Sequence, residues 1–192
     1  MSIGVAVAKG GKIALATDSQ NSFGSLRMGS DNGSPNRIEK IGSSFLTWTG
    51  NGIYEDLLRE PLGRGKGHSL NDASSVFQYF MGLWKRLRSD YSFVDDKGDD
   101  SESSFAQLDA SFLVVSKSGI YGVTTTMCVT KFTKYWAIGS GQAYALGALH
   151  ALYDGRIDAE ALARRAVETA IKFNIYCGGE IELRTIRSTS SA

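Results

Sequence analysis

Residues 2–18 read Ser2-Ile-Gly-Val-Ala-Val-Ala-Lys-Gly-Gly-Lys-Ile-Ala-Leu-Ala-Thr-Asp18: a strand, a tight turn and a returning strand. Ile3, Val5 and Val7 alternate with small residues, and Ile13 and Leu15 resume the alternation after the turn. Gly10-Gly11 suits a turn whose central residues both need positive φ. A two-residue turn fixes the register. With Gly10 and Gly11 at the turn, Ala8 faces Ile13, Ile3 faces Asp18 and Ser2 faces Ser19, so folding brings Ser2 beside Asp18.

Ser2 directly follows the initiator Met, and a small second side chain permits removal of that Met. A chain beginning at Ser2 carries a hydroxyl and a free α-amine on one residue. The amine titrates near about 7.7–8.0, so it can serve as general base for its own hydroxyl without a histidine. A Met-Ser start is common in ordinary proteins, and the pairing with Asp18 is what gives this one chemical interest.

The 192 residues, 42% of them hydrophobic, predict one domain spanning 1–192 with a substantial core. Twenty-one basic and 20 acidic residues give a net charge of +1, and no basic stripe alternates with aromatics, so no nucleic-acid or membrane partner is expected. Cys128 and Cys177 stand in no metal-binding spacing and His68 and His150 are far apart, so neither a metal, a cofactor nor a disulfide framework is expected. The apolar run Ile3–Ala8 stops at Lys9, and no later run approaches a membrane span, which predicts a cytoplasmic protein.

Further along, 21–35 reads as a Ser/Gly/Asn-rich loop or irregular hairpin anchored by Leu26 and Met28. A second strand pair follows over 37–41 and 45–49 around Gly42-Ser43. A short helix carrying Ile53, Leu57 and Leu58 is stopped by Pro61 and Gly63. After a linker containing His68, Asn71 or Asp72 caps a longer helix, with Val76, Phe77, Phe80, Met81, Trp84, Leu87 and Tyr91 as its apolar face. The acidic stretch 95–104 predicts a mobile loop. Strands are expected over 108–114, 120–123 and 131–138, helices after Gly139-Ser-Gly141 and after Asp158, and a last strand over 180–186 before a polar tail, 187–192. Strands, two helices, strands, two helices and a strand call for two helix layers covering two packed sheets.

The arrangement resembles the proteasome β-subunit family, including the ClpQ-type peptidases, of the N-terminal nucleophile hydrolases. The resemblance covers nearly the whole chain. It is carried by Ser2 and Asp18, Arg37-Ile-Glu-Lys-Ile41, Thr47-Trp-Thr-Gly50 before a helix, Ala137-Ile-Gly-Ser-Gly-Gln-Ala-Tyr-Ala-Leu-Gly147 and Cys177-Gly-Gly-Glu-Ile-Glu-Leu183. It implies an α+β fold, a four-layer αββα sandwich, and a subunit of a ring-shaped peptidase acting on peptides or unfolded proteins, with an ATP-dependent unfoldase as possible partner.

By the same resemblance, Ser2 stands at the nucleophile, Asp18 at the acid that orients a neighbouring lysine, and the Gly50 N–H at the oxyanion hole. Ser140 takes the supporting serine position near the α-amine; from its own surroundings it reads equally as a plain helix-start turn. Trp48, two residues before Gly50, and Thr49 are placed at the primary specificity pocket, although strand alternation equally allows Trp48 to point into the core. Three positions depart from the pattern: Arg37 replaces the lysine, Asn174 an aspartate and Cys177 a serine or threonine. Arginine supplies a field and a rigid fork of donors but stays protonated. Two other readings therefore stand beside the peptidase, an inactive structural ring subunit and a small-amide acylase.

Overall fold

Gly10 and Gly11 have φ of 59° and 72°, the left-handed pair that a two-residue hairpin turn requires. They join β1 (Ile3–Lys9) to β2 (Lys12–Asp18), with Ala8 opposite Ile13 and Gly4 opposite Thr17. The register is the one the turn predicts. The computed structural model describes residues 2–28, 36–59, 69–90 and 107–189. Met1, Pro35, Pro61, Gly63, His68, Tyr91, the acidic stretch 95–104 and the end of the polar tail lie outside the described residues.

The chain continues through a small hairpin, β3 (Ser22–Phe23) and β4 (Leu26–Arg27), then β5 (Ile38–Ile41) and β6 (Ser44–Gly50). Helices α1 (Ile53–Arg59) and α2 (Ala73–Ser89) lead to β7 (Ala110–Ser116), β8 (Gly119–Val123), β9 (Val129–Phe132) and β10 (Tyr135–Gly139). Helices α3 (Gln142–Leu152) and α4 (Ala159–Phe173) precede β11 (Ile181–Arg187). One sheet runs β10-β1-β2-β11 and the other β5-β6-β7-β8-β9.

Alternation along each strand divides the apolar side chains among three layers of core. Ile3, Val5 and Val7, with Ala14 and Ala16, pack under α3 and α4, where Ala163, Ala166 and Ala170 let the helix lie close. The opposite face of this hairpin, Ala6, Ile13 and Leu15, meets Leu113, Val115 and Ile120 of the second sheet. The second sheet's outer face, including Leu46, Trp48, Phe112 and Val114, is covered by α1 and α2. The result is the expected four-layer αββα sandwich. Among the described residues no helix is long and apolar enough to cross a membrane.

Local signals hold where the chemistry is local. Asp72 and Asp158 accept N-terminal amides of α2 and α4, from Ser75 at 2.7 Å and Ala161 at 2.8 Å. Three expectations need correction. The buried stripe of α2 is Val76, Tyr79, Phe80, Leu83 and Leu87; Met81 and Trp84 are half-buried and pack against its edge, while Phe77 is 40% exposed. Leu26 is 70% exposed and anchors nothing in the core. The single strand expected over 131–138 is two, split at Thr133 and Lys134, and β9 pairs with β8 whereas β10 pairs with β1.

Candidate active site

The start of β1, the end of β2, the end of β10 and the 174–178 turn converge on Ser2. Asp18 is fully buried and accepts at both carboxylate oxygens. The Ser2 hydroxyl donates to Oδ1, the Ile3 N–H donates to the same oxygen at 3.0 Å, and the Gly178 N–H donates to Oδ2 at 2.8 Å. Burial pushes the Asp18 pKa above its ordinary value; these donors, and the field of Arg37, pull the other way.

A raised folded pKa means that the native state binds this proton more tightly than the unfolded chain. Between the unfolded and folded pKa values Asp18's contribution to stability therefore falls as pH rises. Asp18→Asn should accordingly gain stability relative to the parent as pH rises above the ordinary aspartate value of 3.8. Urea unfolding of both proteins across that range checks the sign.

Ser2 is clamped from the other side by β10. Ile3 pairs with Gly139, which has φ of 101°, and a Cβ there would lie 2.2 Å from the Ser2 carbonyl oxygen and 2.8 Å from Thr49 Cγ2. Only glycine allows that approach. The Ser140 N–H donates to the Ser2 carbonyl at 3.0 Å, and Ser140 Oγ donates to it at 3.3 Å. Asn174 Nδ2 donates to the Ser140 carbonyl at 2.6 Å, and Cys177 Sγ lies 3.7 Å from Ser140 Oγ. Burial raises the Cys177 thiol pKa to about 11, so it packs as a neutral thiol. Ser140, Asn174 and Cys177 thus form one connected support behind Ser2.

Arg37 is buried at the N-terminal edge of β5, and its guanidinium donates to the Gln20 carbonyl at 3.2 Å and to Asn21 Oδ1. Its Nε is buried without a hydrogen-bond partner. Burial lowers the Arg37 pKa, and the charges of Asp18 and Glu55 oppose the shift. Asp18 therefore spends its acceptors on the Ser2 hydroxyl and two amides, and feels Arg37 only through its field. The expected orienting contact between Asp18 and residue 37 is not formed. Lys40, on the same strand, is exposed.

Gly50 ends β6 opposite Ala110, with φ of 133°, and a Cβ there would fall 2.4 Å from the Asp109 carbonyl. Thr49 is nearly buried, with its methyl against Gly139. Trp48 has no exposed surface, belongs to the core beneath α1 and α2, and lies 5.9 Å from the Arg37 guanidinium. Of the two placements the alternation allowed, the structure has the core one, and Trp48 forms no pocket floor.

Three residues that hold this site were not singled out from the sequence for that role. Gly178 supplies an amide to Asp18, and a Cβ on it would lie 2.3 Å from Gln20 Oε1. Gln20 in turn supplies the carbonyl that Arg37 grips. Gly139 closes on Ser2. Glycines inside the Gly139-Ser-Gly141 and Cys177-Gly-Gly179 runs were the available signal. Among the described residues no three His, Cys, Asp or Glu side chains gather into a metal-binding cluster.

Two packed antiparallel sheets between helix pairs, with a buried serine at the head of the first strand, define the N-terminal nucleophile hydrolase fold. The comparisons agree with that class. The chain is 29% identical over 189 residues to the ATP-dependent protease subunit HslV of Bartonella quintana (strain Toulouse), covering 98% of this chain and 90% of the relative. It is 25% identical over 189 residues to HslV of Hyphomonas neptunium (strain ATCC 15444), covering 95% and 90% of the two chains. Among solved structures, Thiobacillus denitrificans BPH in complex with epoxomicin superposes with a TM-score of 0.89 at 26% identity, over 98% of this chain and all 100% of the other. Eukaryotic HslV from Trypanosoma brucei, at 22% identity and a TM-score of 0.73 over 96% of this chain and 99% of its own, shares the fold. No family model matches the chain. Within the N-terminal nucleophile class, the chain is similar in sequence and fold to the HslV-type, proteasome-like peptidase subunits.

Proposed function

We propose that this chain is a proteasome-like peptidase subunit that cleaves peptide bonds with the Ser2 hydroxyl after Met1 is removed, and that its copies assemble into cytoplasmic rings. The observation that carries this reading is the convergence on Ser2: a buried carboxylate accepts from its hydroxyl while Gly139 and Ser140 fix its carbonyl. The α-amine takes the hydroxyl proton, Oγ attacks the substrate carbonyl, and the Gly50 N–H receives the developing oxyanion. The amine then protonates the departing amine, leaving an ester on Oγ that water hydrolyses. Asp18 positions Oγ, and Arg37 contributes positive field without moving a proton.

The protease activity named for the HslV relatives and the epoxomicin bound by the BPH relative support this assignment. An ATP-dependent unfoldase fits as a partner, since the relatives are named as subunits of an ATP-dependent protease. Incubating the chain with epoxomicin and measuring intact mass tests the reading, which expects an adduct on Ser2.

One observation favours a second reading, the inactive structural subunit. The Arg37 fork is committed to Gln20 and Asn21, and a guanidinium cannot shuttle the proton that a lysine could. Positioned proton transfer is typically worth about 10²–10⁴-fold. If the site is active but limited in this way, Arg37→Lys should raise kcat by up to about 10²-fold with little change in KM. A folded chain that hydrolyses no peptide, takes no epoxomicin and gains nothing from Arg37→Lys is the structural subunit.

A further inference from the structure

We propose that the end of the sandwich opposite Ser2 is a docking cleft for an acidic polypeptide segment of a partner protein. The chain as a whole carries a net charge of only +1, yet its topology gathers cations at this end. Lys9 pairs with Lys12 across the first hairpin, and Lys12 pairs with Arg187 of β11. The Lys134 carbonyl accepts from the Ala8 N–H at 2.7 Å, and the Lys117 carbonyl accepts from the Thr189 N–H at 2.8 Å. Lys131 stands beside them on β9, opposite Tyr121. No acidic residue occurs in the sequence between Asp109 and Asp154, the stretch that supplies Lys117, Lys131 and Lys134.

Asp154 is a carboxylate that reaches this end, where it acts on Tyr153. Among the described residues, none of these six cations is in an ion pair. Lys9 donates to the Tyr153 carbonyl and, at 2.7 Å, to that of Gly155; all the others are exposed. Like charges held this close cost free energy unless something neutralises them.

Between them lies a cavity of about 260 Å³, lined in part by Lys9, Lys12, Lys131, Phe132 and Tyr153. It opens where β1 ends, about 20 Å of strand from Ser2, so it is separate from the substrate site. Its rings favour a peptide over a nucleic acid. Phe132 is already stacked on Trp136 at 4.4 Å, and the Tyr153 ring carries the ammonium groups of Lys9 and Lys134 at 5.3 and 5.2 Å. One face of Phe132 is thus covered and the Tyr153 ring is occupied by cations, which leaves little aromatic surface for the base stacking that helps hold single-stranded nucleic acid. A short cleft with an apolar wall and a cationic rim instead suits carboxylate side chains interleaved with aliphatic ones.

The inference does not rest on peptide hydrolysis, and its test uses the Ser2→Ala chain so that the probe stays intact. The probe is a fluorescein-labelled peptide of alternating Glu and Leu, about ten residues long, followed by anisotropy, with an alternating Lys and Leu peptide as control. The Glu peptide should bind, the Lys peptide should not, and binding should weaken as salt is raised from about 50 to about 300 mM. Lys12→Glu with Lys131→Glu should weaken binding by at least about tenfold, and the milder Lys12→Gln with Lys131→Gln should shift it in the same direction. The milder pair decides the matter if circular dichroism shows the charge reversal to be unfolded. Absence of Glu-peptide binding, affinity unchanged in the folded variants, or tighter binding of an oligothymidylate than of the peptide would each overturn the proposal.

Discussion

Ser2→Ala should remove peptide hydrolysis, by about 10³-fold or more in kcat, while leaving a folded chain. The substitution deletes the attacking atom and nothing else in the catalytic arrangement can replace it: Ser140 Oγ is turned to the Ser2 carbonyl, and the Cys177 thiol is held neutral by burial. Folding should survive because Asp18 keeps the Ile3 and Gly178 amides, and the lost hydroxyl bond to a carboxylate is worth about 1.5–3 kcal/mol. Ser2→Thr preserves the hydroxyl and should preserve activity. Steady-state assays with a fluorogenic peptide, beside urea unfolding, separate the two effects. Unchanged hydrolysis by Ser2→Ala would end the nucleophile assignment.

Trp48→Ala should cost about 3–5 kcal/mol of stability, the range for truncating a large buried aromatic. The side chain has no exposed surface and packs with the cluster of Leu46, Tyr54, Phe80 and Phe112. Truncation would also strip the indole from beside the buried guanidinium of Arg37. Cleavage preference should not move in whatever fraction remains folded, because an enclosed residue presents no wall to a substrate. A stable, folded Trp48→Ala chain with altered preference among peptides would return Trp48 to the specificity pocket.

How much of this was legible in the sequence depends on whether the determining interaction is local. Gly10-Gly11 dictates a turn, the turn dictates the register, and the register puts Ser2 at Asp18. Asp72 and Asp158 cap the helices they precede for equally local reasons. The α2 face was misplaced because Phe77, Met81 and Trp84 compete with Tyr79 and Leu83 on one helix, and only the sheet beneath decides which stripe is buried. The break at Thr133 and Lys134 carries no Gly or Pro; it exists because β9 and β10 join different sheets, a long-range choice.

The site divides in the same way. Ser2 and Asp18 were readable from one hairpin. The Gly178 amide and the Gln20 and Asn21 oxygens that take up Arg37 come from remote turns, and no spacing announces them.

The central claim is that Ser2 supplies both the nucleophile and its base, which requires its amine to be free. Intact-mass measurement of untagged protein tests this most directly. The expected mass is that of the chain without Met1, beginning at Ser2. A chain that retains Met1 would hold that nitrogen in a peptide bond, unable to accept a proton, and would contradict the mechanism.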